Sequence, residues 1–460
     1  MLLVQLVLSF ASAATAATLY STYEFDPLEH LAGTAPYFEP SDPPRDPAPP
    51  QGCSVTRAAY LVRHAAINAN DFDYETYIEP FLDKLGNKSV DWSSSPELAF
   101  LGDWIPPNFS EAEQLTRTGK LEAAQLGVTM SYRYSNLRLP ERVWASTAER
   151  TVKSAQGLIR GLEVEDDTIN LVEVYEGEED GANSLTAYES CPQYSSSSGS
   201  DQESEYIERY TASIISRFNA DASSFNFTAD DIFAMQALCG YESVIRGSSP
   251  FCSTELFSPD EWLSFEYAND IFYHYNTGYG NPNSGVIGFP WLNASLGLLT
   301  ADQADQDLYI SFTHRELPPT VLVAMGLFNN SQFTGANNVN ATMPTQQINY
   351  NRAWISSYIL PFLTNIAIER MNCTDSSGSA DSGDSTFYRV LVNSSPQTLP
   401  GCADGPLESC SASGLQEYLS EREALFGGFS EKCNVTYSNS TDTLSFYTDS
   451  NNGTMVGKRA

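Results

Sequence analysis

Residues 57–69 read RAAYLVRHAAINA. The first six, Arg57-Ala58-Ala59-Tyr60-Leu61-Val62, form an apolar run of strand length and read as a short buried strand. Arg63 and His64 follow at its carboxyl end. In open α/β sheets the ligand crevice lies outside the carboxyl ends of the strands, so an Arg-His pair at that edge points towards chemistry.

The same arrangement recurs twice. RVWAS at 142–146 reads as a second strand, followed by a helix over 148–162 with Ala148, Val152, Ala155, Ile159 and Leu162 as its apolar stripe. Arg150 stands at the start of that helix. LYISFT at 308–313 reads as a third strand, followed by His314, Arg315 and Glu316. Pro318 and Pro319 then suit the first turn of a helix running to Leu327. Between the first two strands, 118–134 reads as an amphipathic helix with Leu121, Ala124, Val128 and Tyr132 near one face, capped by Thr116 or Thr118. FYRVLVN at 387–393 adds a further strand.

Strand followed by helix, three times, predicts an α/β fold: a mixed central sheet with helices on both faces, plus a smaller, mostly α-helical cap. The α/β domain takes 53–162 and 300–440. The cap takes 163–299, an acidic and aromatic insert with helix-like stretches at 204–218 and 229–243. Residues 18–52 read as an extended lead-in, rich in Pro and Asp over 40–51. Residues 441–460 read as a polar tail. YSSSSGSD at 194–201 and DSSGSADSGDS at 375–385 are low-complexity loops.

Export is expected. Residues 2–10 are mostly apolar and 11–17 are small, with Ala14 and Ala16 in an A-x-A-like setting. That is a signal peptide over 1–17, too short to span a bilayer, and no later segment is long and apolar enough for a membrane span. The eight cysteines contain no C-x-x-C pair, which argues against zinc. An even number spread along a long chain suits disulfides in an oxidising compartment. N-x-S/T sequons at Asn87, Asn108, Asn226, Asn293, Asn329, Asn340, Asn372, Asn393, Asn434, Asn439 and Asn452 predict N-linked glycans on a secreted, extracellular protein. The chain carries 58 acidic against 24 basic residues, a net charge of −34. That balance argues against nucleic acid or an anionic membrane as a partner and favours an acidic workplace. A phosphorylated small-molecule substrate then needs a local cluster of cations to overcome the global field.

Such a cluster is present. Of four histidines, His30 and His274 have no motif around them and read as structural. His64 and His314 end two strands. Together with Arg63, Arg150 and Glu316 they bring two imidazoles, two guanidiniums and a carboxyl to one sheet edge. Guanidinium forks match phosphate oxygens. A neutral imidazole can attack phosphorus, and a carboxylic acid can protonate the departing alkoxide. This chemistry requires no metal or other cofactor.

Val62-Arg63-His64 resembles the opening of the R-H-G-x-R-x-P signature of the histidine acid phosphatases, which include the fungal phytases. Ser146-Thr147-Ala148-Glu149-Arg150-Thr151-Val152-Lys153-Ser154-Ala155 resembles that family's second arginine segment, and Phe312-Thr313-His314-Arg315-Glu316 its H-D or H-A-E element. The cysteine positions are also similar, and the resemblance implies the pairs Cys53–Cys373, Cys191–Cys433, Cys239–Cys252 and Cys402–Cys410. It implies His64 as nucleophile, Arg63, Arg150 and His314 as phosphoryl ligands, and Glu316 as proton donor. It also implies an α/β domain with a smaller α domain and the active site between them. Three departures stand out. Ile67 occupies the place of the signature's second arginine, Ala65 that of its glycine, and Arg315 that of the H-D aspartate. Losing one bidentate phosphate contact costs about 2–4 kcal/mol of transition-state stabilisation unless something replaces it, and Arg315 is the nearest candidate. The resemblance thus implies a secreted acid phosphatase acting through a phosphohistidine, on monoesters broadly or including phytate. The alternative is a catalytically impaired relative that binds a phosphorylated ligand or a surface partner.

Overall fold

The computed structural model describes residues 25–39, 46–87, 90–109, 111–162, 168–331, 339–374, 385–438, 440–449 and 455–456. The expected signal peptide lies outside them, as do residues 375–384 of the second low-complexity loop.

The first strand, β1 (Cys53–Arg63), lies inside the sheet because it is apolar on both faces. Ala58, Tyr60 and Val62 enter one core, and Ala59 and Leu61 enter the other. The remaining strands are β2 (Arg142–Ser146), β3 (Asn170–Val174), β4 (Leu308–Thr313), β5 (Asn365–Cys373), β6 (Thr386–Val392), β7 (Ser395–Gln397), β8 (Cys410–Ser411) and β9 (Met455–Val456). They form one mixed sheet in the order β7-β6-β5-β1-β4-β2-β3-β9, with β8 beside β6. β1, β4, β2 and β3 run parallel, so their carboxyl ends share one edge. β5 and β6 are antiparallel additions on the other side.

Helices cover both faces. α1 (Arg117–Arg133) and α2 (Glu149–Leu162) lie on one. A further group, α3 (Ser200–Asp221), α4 (Ala229–Arg246) and α5 (Pro259–Asn276), extends the same core into a helical layer. The other face takes α6 (Ser284–Thr300), α7 (Leu317–Met325) and α8 (Ala412–Phe426). α4 and α5 each begin in a capping box, Thr228 with Asp231 and Ser258 with Glu261.

Four features differ from the sequence reading. First, α1 presents another face. Leu121 and Tyr132 are 73% and 79% exposed, while Gly119, Ala123, Leu126, Gly127 and Met130 are buried. The reason is the approach of α2. A Cβ on Gly161 would stand 1.9 Å from the Ala124 carbonyl oxygen, and one on Gly127 2.1 Å from that of Leu158. Small residues let the two backbones touch, and that contact outweighs burial of the larger stripe. Gly161→Ala is therefore expected to lower stability by about 2–3 kcal/mol, read as a drop in the urea midpoint; an unchanged midpoint would contradict this packing.

Second, the insert is smaller than 163–299. β3 pairs with β2 inside the sheet, and α6 packs on the sheet through Val286, Ile287 and Leu292. Third, the lead-in is not simply extended. Leu31, Ala32 and Ala35 are buried, and His30 donates from Nδ1 to Glu266 at 2.9 Å. Fourth, the tail docks. Phe446 and Tyr447 are buried, and the Tyr447 hydroxyl lies 2.5 Å from Ser311 Oγ on β4. In the last two cases apolar side chains scattered among polar neighbours drive burial that a composition average hides.

Disulfides join Cys53 to Cys373, Cys191 to Cys433, Cys239 to Cys252 and Cys402 to Cys410. The first links directly paired residues of β1 and β5. Among the sequons, Asn87, Asn108, Asn226, Asn372 and Asn434 are exposed. Asn393 is not: it is 1% exposed, accepts from the Asn365 N–H at 2.8 Å and donates to the Tyr358 carbonyl at 2.8 Å. A side chain bonded inside the fold cannot carry a glycan there.

Candidate active site

The shared edge of the parallel strands collects the residues. β1 delivers Arg63 and His64, β4 delivers His314, Arg315 and Glu316, and β2 leads through Ser146 into Arg150 in the first turn of α2. The His64 N–H donates to the Thr313 carbonyl at 2.9 Å, so the two histidine segments are joined through their backbones. The imidazoles lie 5.8 Å apart between centroids at 66°.

His64 is 3% exposed, and its Nδ1 donates to the carbonyl of Ala65 at 2.9 Å. A carbonyl only accepts, so Nδ1 carries the hydrogen and Nε2 keeps its lone pair. Burial, then the charges of Arg63, Arg150 and His314, hold the ring well below the usual histidine range. Both effects favour the neutral imidazole at His64. The alanine in place of the signature glycine fits without strain: Ala65 has no positive φ, and its N–H donates to Ser154 Oγ at 2.9 Å.

Arg63 is 3% exposed. Its Nη1 donates to the carbonyls of Gly33 (2.7 Å) and Leu360, and its guanidinium carbon lies 4.5 Å from the centre of the Phe362 ring. Burial lowers its pKa to about 10, which leaves it charged in acid. Arg63 Nε and His314 Nδ1 are buried without a hydrogen-bond partner among the described residues. Buried polar atoms are rarely left unpaired, and both belong to the strand-end cluster.

Arg150 pairs with Glu113 at 2.7 Å. Glu113 also accepts from Asn70 Nδ2 at 2.9 Å, and its N–H donates to the Ala69 carbonyl at 3.0 Å. It sits at φ +60, in the left-handed region. The loop after His64 is thus laced to residues 113–116, where Thr116 both caps α1 and donates to the Ala66 carbonyl at 3.0 Å. Ile67 forms a bridge with Leu115 in this lacing and is 2% exposed within the core. The signature's second arginine has no counterpart from that position.

Arg315 Nε donates to Glu316 at 2.9 Å. Burial opposes ionisation of Glu316, but the charges of Arg315 and His314 outweigh it and hold the carboxyl below its ordinary value. Arg315 also lines a cavity of about 30 Å³ with Gly33, Asp73, Tyr77, Glu203 and Tyr273. Gly33 joins that cavity to Arg63.

Three participants were not foreseen from sequence. Gly33 supplies a carbonyl from the lead-in, and nothing local marks it. Glu113 is equally silent. Glu176, two residues past β3, accepts from His314 Nε2 at 3.1 Å and from the Ala148 N–H at 2.9 Å. The alternating NLVEV at 170–174 was the available signal: a strand in the supposed insert would have put Glu176 at the same edge.

Fold and site define a class, an α/β protein whose parallel strand ends bring paired imidazoles and guanidiniums together at one edge. The sequence model of the histidine phosphatase superfamily (branch 2) matches residues 55–393, and the chain belongs to that family. It is 30% identical over 449 residues to the acid phosphatase PHO1 of Komagataella pastoris, covering 93% of this chain and 90% of that one. It is 26% identical over 461 residues to the phytase PHO112 of Candida albicans, covering 94% and 92%. The phytase from D. castellii has the same fold, with a TM-score of 0.81 at 24% identity over 92% of this chain and 90% of that one.

Proposed function

We propose that this chain is a secreted acid phosphomonoesterase working through a phosphohistidine. The observation that carries the reading is His64: buried, neutral, and held by its own loop carbonyl so that Nε2 keeps the lone pair. In the first half-reaction His64 Nε2 bonds to phosphorus, the bond from phosphorus to the leaving oxygen breaks, and Glu316 passes a proton to that oxygen. In the second, water adds to phosphorus, its proton returns to Glu316, and the N–P bond breaks to release phosphate. Arg63, Arg150 and His314 bind the phosphoryl oxygens. Glu316 is tied to Arg315, so in this reading Arg315 turns towards the substrate as Glu316 takes its proton, and activity rises in acid.

The preferred substrates are compact monoesters rather than phytate. Asp73 and Glu203 line the cavity that adjoins Arg63 and contains Arg315. The Asp73 carboxylate there repels a polyanionic leaving group, whereas burial holds Glu203 towards its neutral form in acid. The disulfides and exposed sequons support secretion, and among the described residues no helix is long and apolar enough to cross a membrane.

A second reading rests on Ile67. With that position buried, the chain would bind phosphorylated ligands without turning them over. Phosphate release from para-nitrophenyl phosphate and from phytate, across the acid-to-neutral range, separates the two. Turnover of the small ester in acid is expected. Binding of vanadate without turnover would establish the second reading. Asp73→Asn is expected to raise the phytate-to-small-ester ratio of kcat/KM by about 3- to 30-fold, and an unchanged ratio would remove the cavity from the specificity argument.

A further inference from the structure

β3 ends two residues before Glu176, on the same edge as the other parallel strands. From there the side chain reaches past β2 to His314, at the end of β4. Its Oε1 accepts from His314 Nε2 (3.1 Å) and from the Ala148 N–H (2.9 Å), beside Ser146 Oγ, which lies 3.3 Å from the same ring nitrogen. Burial opposes ionisation of this carboxyl. The His314 hydrogen bond and charge outweigh it, with help from Ala148 and Ser146, and bring its pKa down to about 2. Glu176 is therefore an acceptor only, and Nε2 of His314 must carry a hydrogen. That leaves Nδ1, buried and unpartnered among the described residues, as the nitrogen available to a ligand.

We infer that Glu176 is a positioning residue for phosphoryl transfer: it clamps His314 by Nε2 so that Nδ1 faces the transferring phosphoryl group as a donor. The inference rests on the phosphatase reading above. Its logic is a matter of hydrogens. For both ring nitrogens to donate at once, one to Glu176 and one to a phosphoryl oxygen, the ring must be an imidazolium. A carboxylate behind it favours that form, whereas an amide does not. The other titratable groups that interact with the ring are His64 just past β1, Glu316 from the turn before α7, and Glu189 from the segment after Glu176. Of these acidic groups, only Glu176 is hydrogen-bonded to His314 among the described residues.

The test is Glu176→Gln beside Glu176→Asp, with wild type and His64→Ala as references, using para-nitrophenyl phosphate as substrate and vanadate as inhibitor. Glu176→Gln is expected to lose on the order of 10- to 100-fold in kcat/KM. The alkaline limb of its pH profile should move to lower pH by about one unit. Vanadate should bind correspondingly more weakly. Glu176→Asp should keep the wild-type alkaline limb with reduced kcat, which also decides the matter if the amide variant does not fold. A Glu176→Gln enzyme with the wild-type pH profile and vanadate affinity would overturn the inference, and so would an Asp variant whose limb has moved. If instead wild type fails to turn over, or His64→Ala still does, the phosphatase reading fails and the role given to Glu176 falls with it.

Discussion

His64→Ala is expected to lose about 10⁴-fold or more of wild-type turnover on para-nitrophenyl phosphate, with a normal circular dichroism spectrum. The size follows from its place in the reaction. In the proposed mechanism alanine removes the atom that bonds to phosphorus, while Arg63, Arg150 and His314 remain to bind the phosphoryl oxygens. Folding should survive, because the ring's own bond is to the adjacent Ala65 carbonyl and the backbone link to Thr313 stays. Burial and the neighbouring cations already favour the neutral ring, so the nucleophile should not limit the acid side of the wild-type profile. Rapid quenching of wild type in base should trap phosphate on the protein, and the variant should trap none. Retention of more than a few per cent of turnover by the variant would remove His64 from the chemistry.

Glu203→Gln is expected to stabilise the protein by about 4 kcal/mol at pH 8 and to change little at pH 4.5, read from urea midpoints at both pH values. Glu203 is buried at 6% exposure. Burial first, then Asp73, push its carboxyl up to about 8, with Arg315 pulling the other way. A raised folded-state value means that the native protein binds a proton the unfolded chain does not. Its contribution is fully present below the unfolded value near 4.5 and is lost as pH rises to about 8. Glutamine keeps the neutral shape and abolishes that loss. Glu122, lifted to about 7 by burial, acts in the same direction. His274 acts oppositely: burial lowers it to about 4, so its contribution is present above the ordinary value of 6.5 and is lost as pH falls towards 4. The windows overlap between 4.5 and 6.5, and there the losses at Glu203 and Glu122 outweigh the gain at His274, so the summed contribution of these three groups falls as pH rises. Equal midpoint changes for Glu203→Gln at both pH values would show that Glu203 is not protonated in the native state.

The chain divides into what neighbouring residues specify and what distant ones specify. The strands RVWAS and LYISFT appear where the sequence puts them, and His64, Arg150 and His314 stand just past strand ends. A short apolar run commits to a strand through its own side chains, and the residue after it must then sit at the sheet edge. The signature-like segments could be read for the same reason, since each is contiguous. The exposed Leu121 and Tyr132 could not. The buried face of α1 is set by the glycines of α2, about thirty residues further on, and periodicity within one helix carries no information about its partner. The inward turn of Ile67 likewise comes from its pairing with Leu115. Glu113, Glu176 and Gly33 enter the site from three separate places in the chain. The carboxylates were hidden among 58 acidic residues that no local pattern sets apart. Chain-local chemistry is enough to supply the strands, their order of polar ends and the type of reaction. Which carboxylate backs which cation depends on contacts a few ångströms long between segments 37 residues apart, for Glu113 and Arg150, to 138 apart, for Glu176 and His314, and such contacts exist only once the sheet has brought its strand ends together.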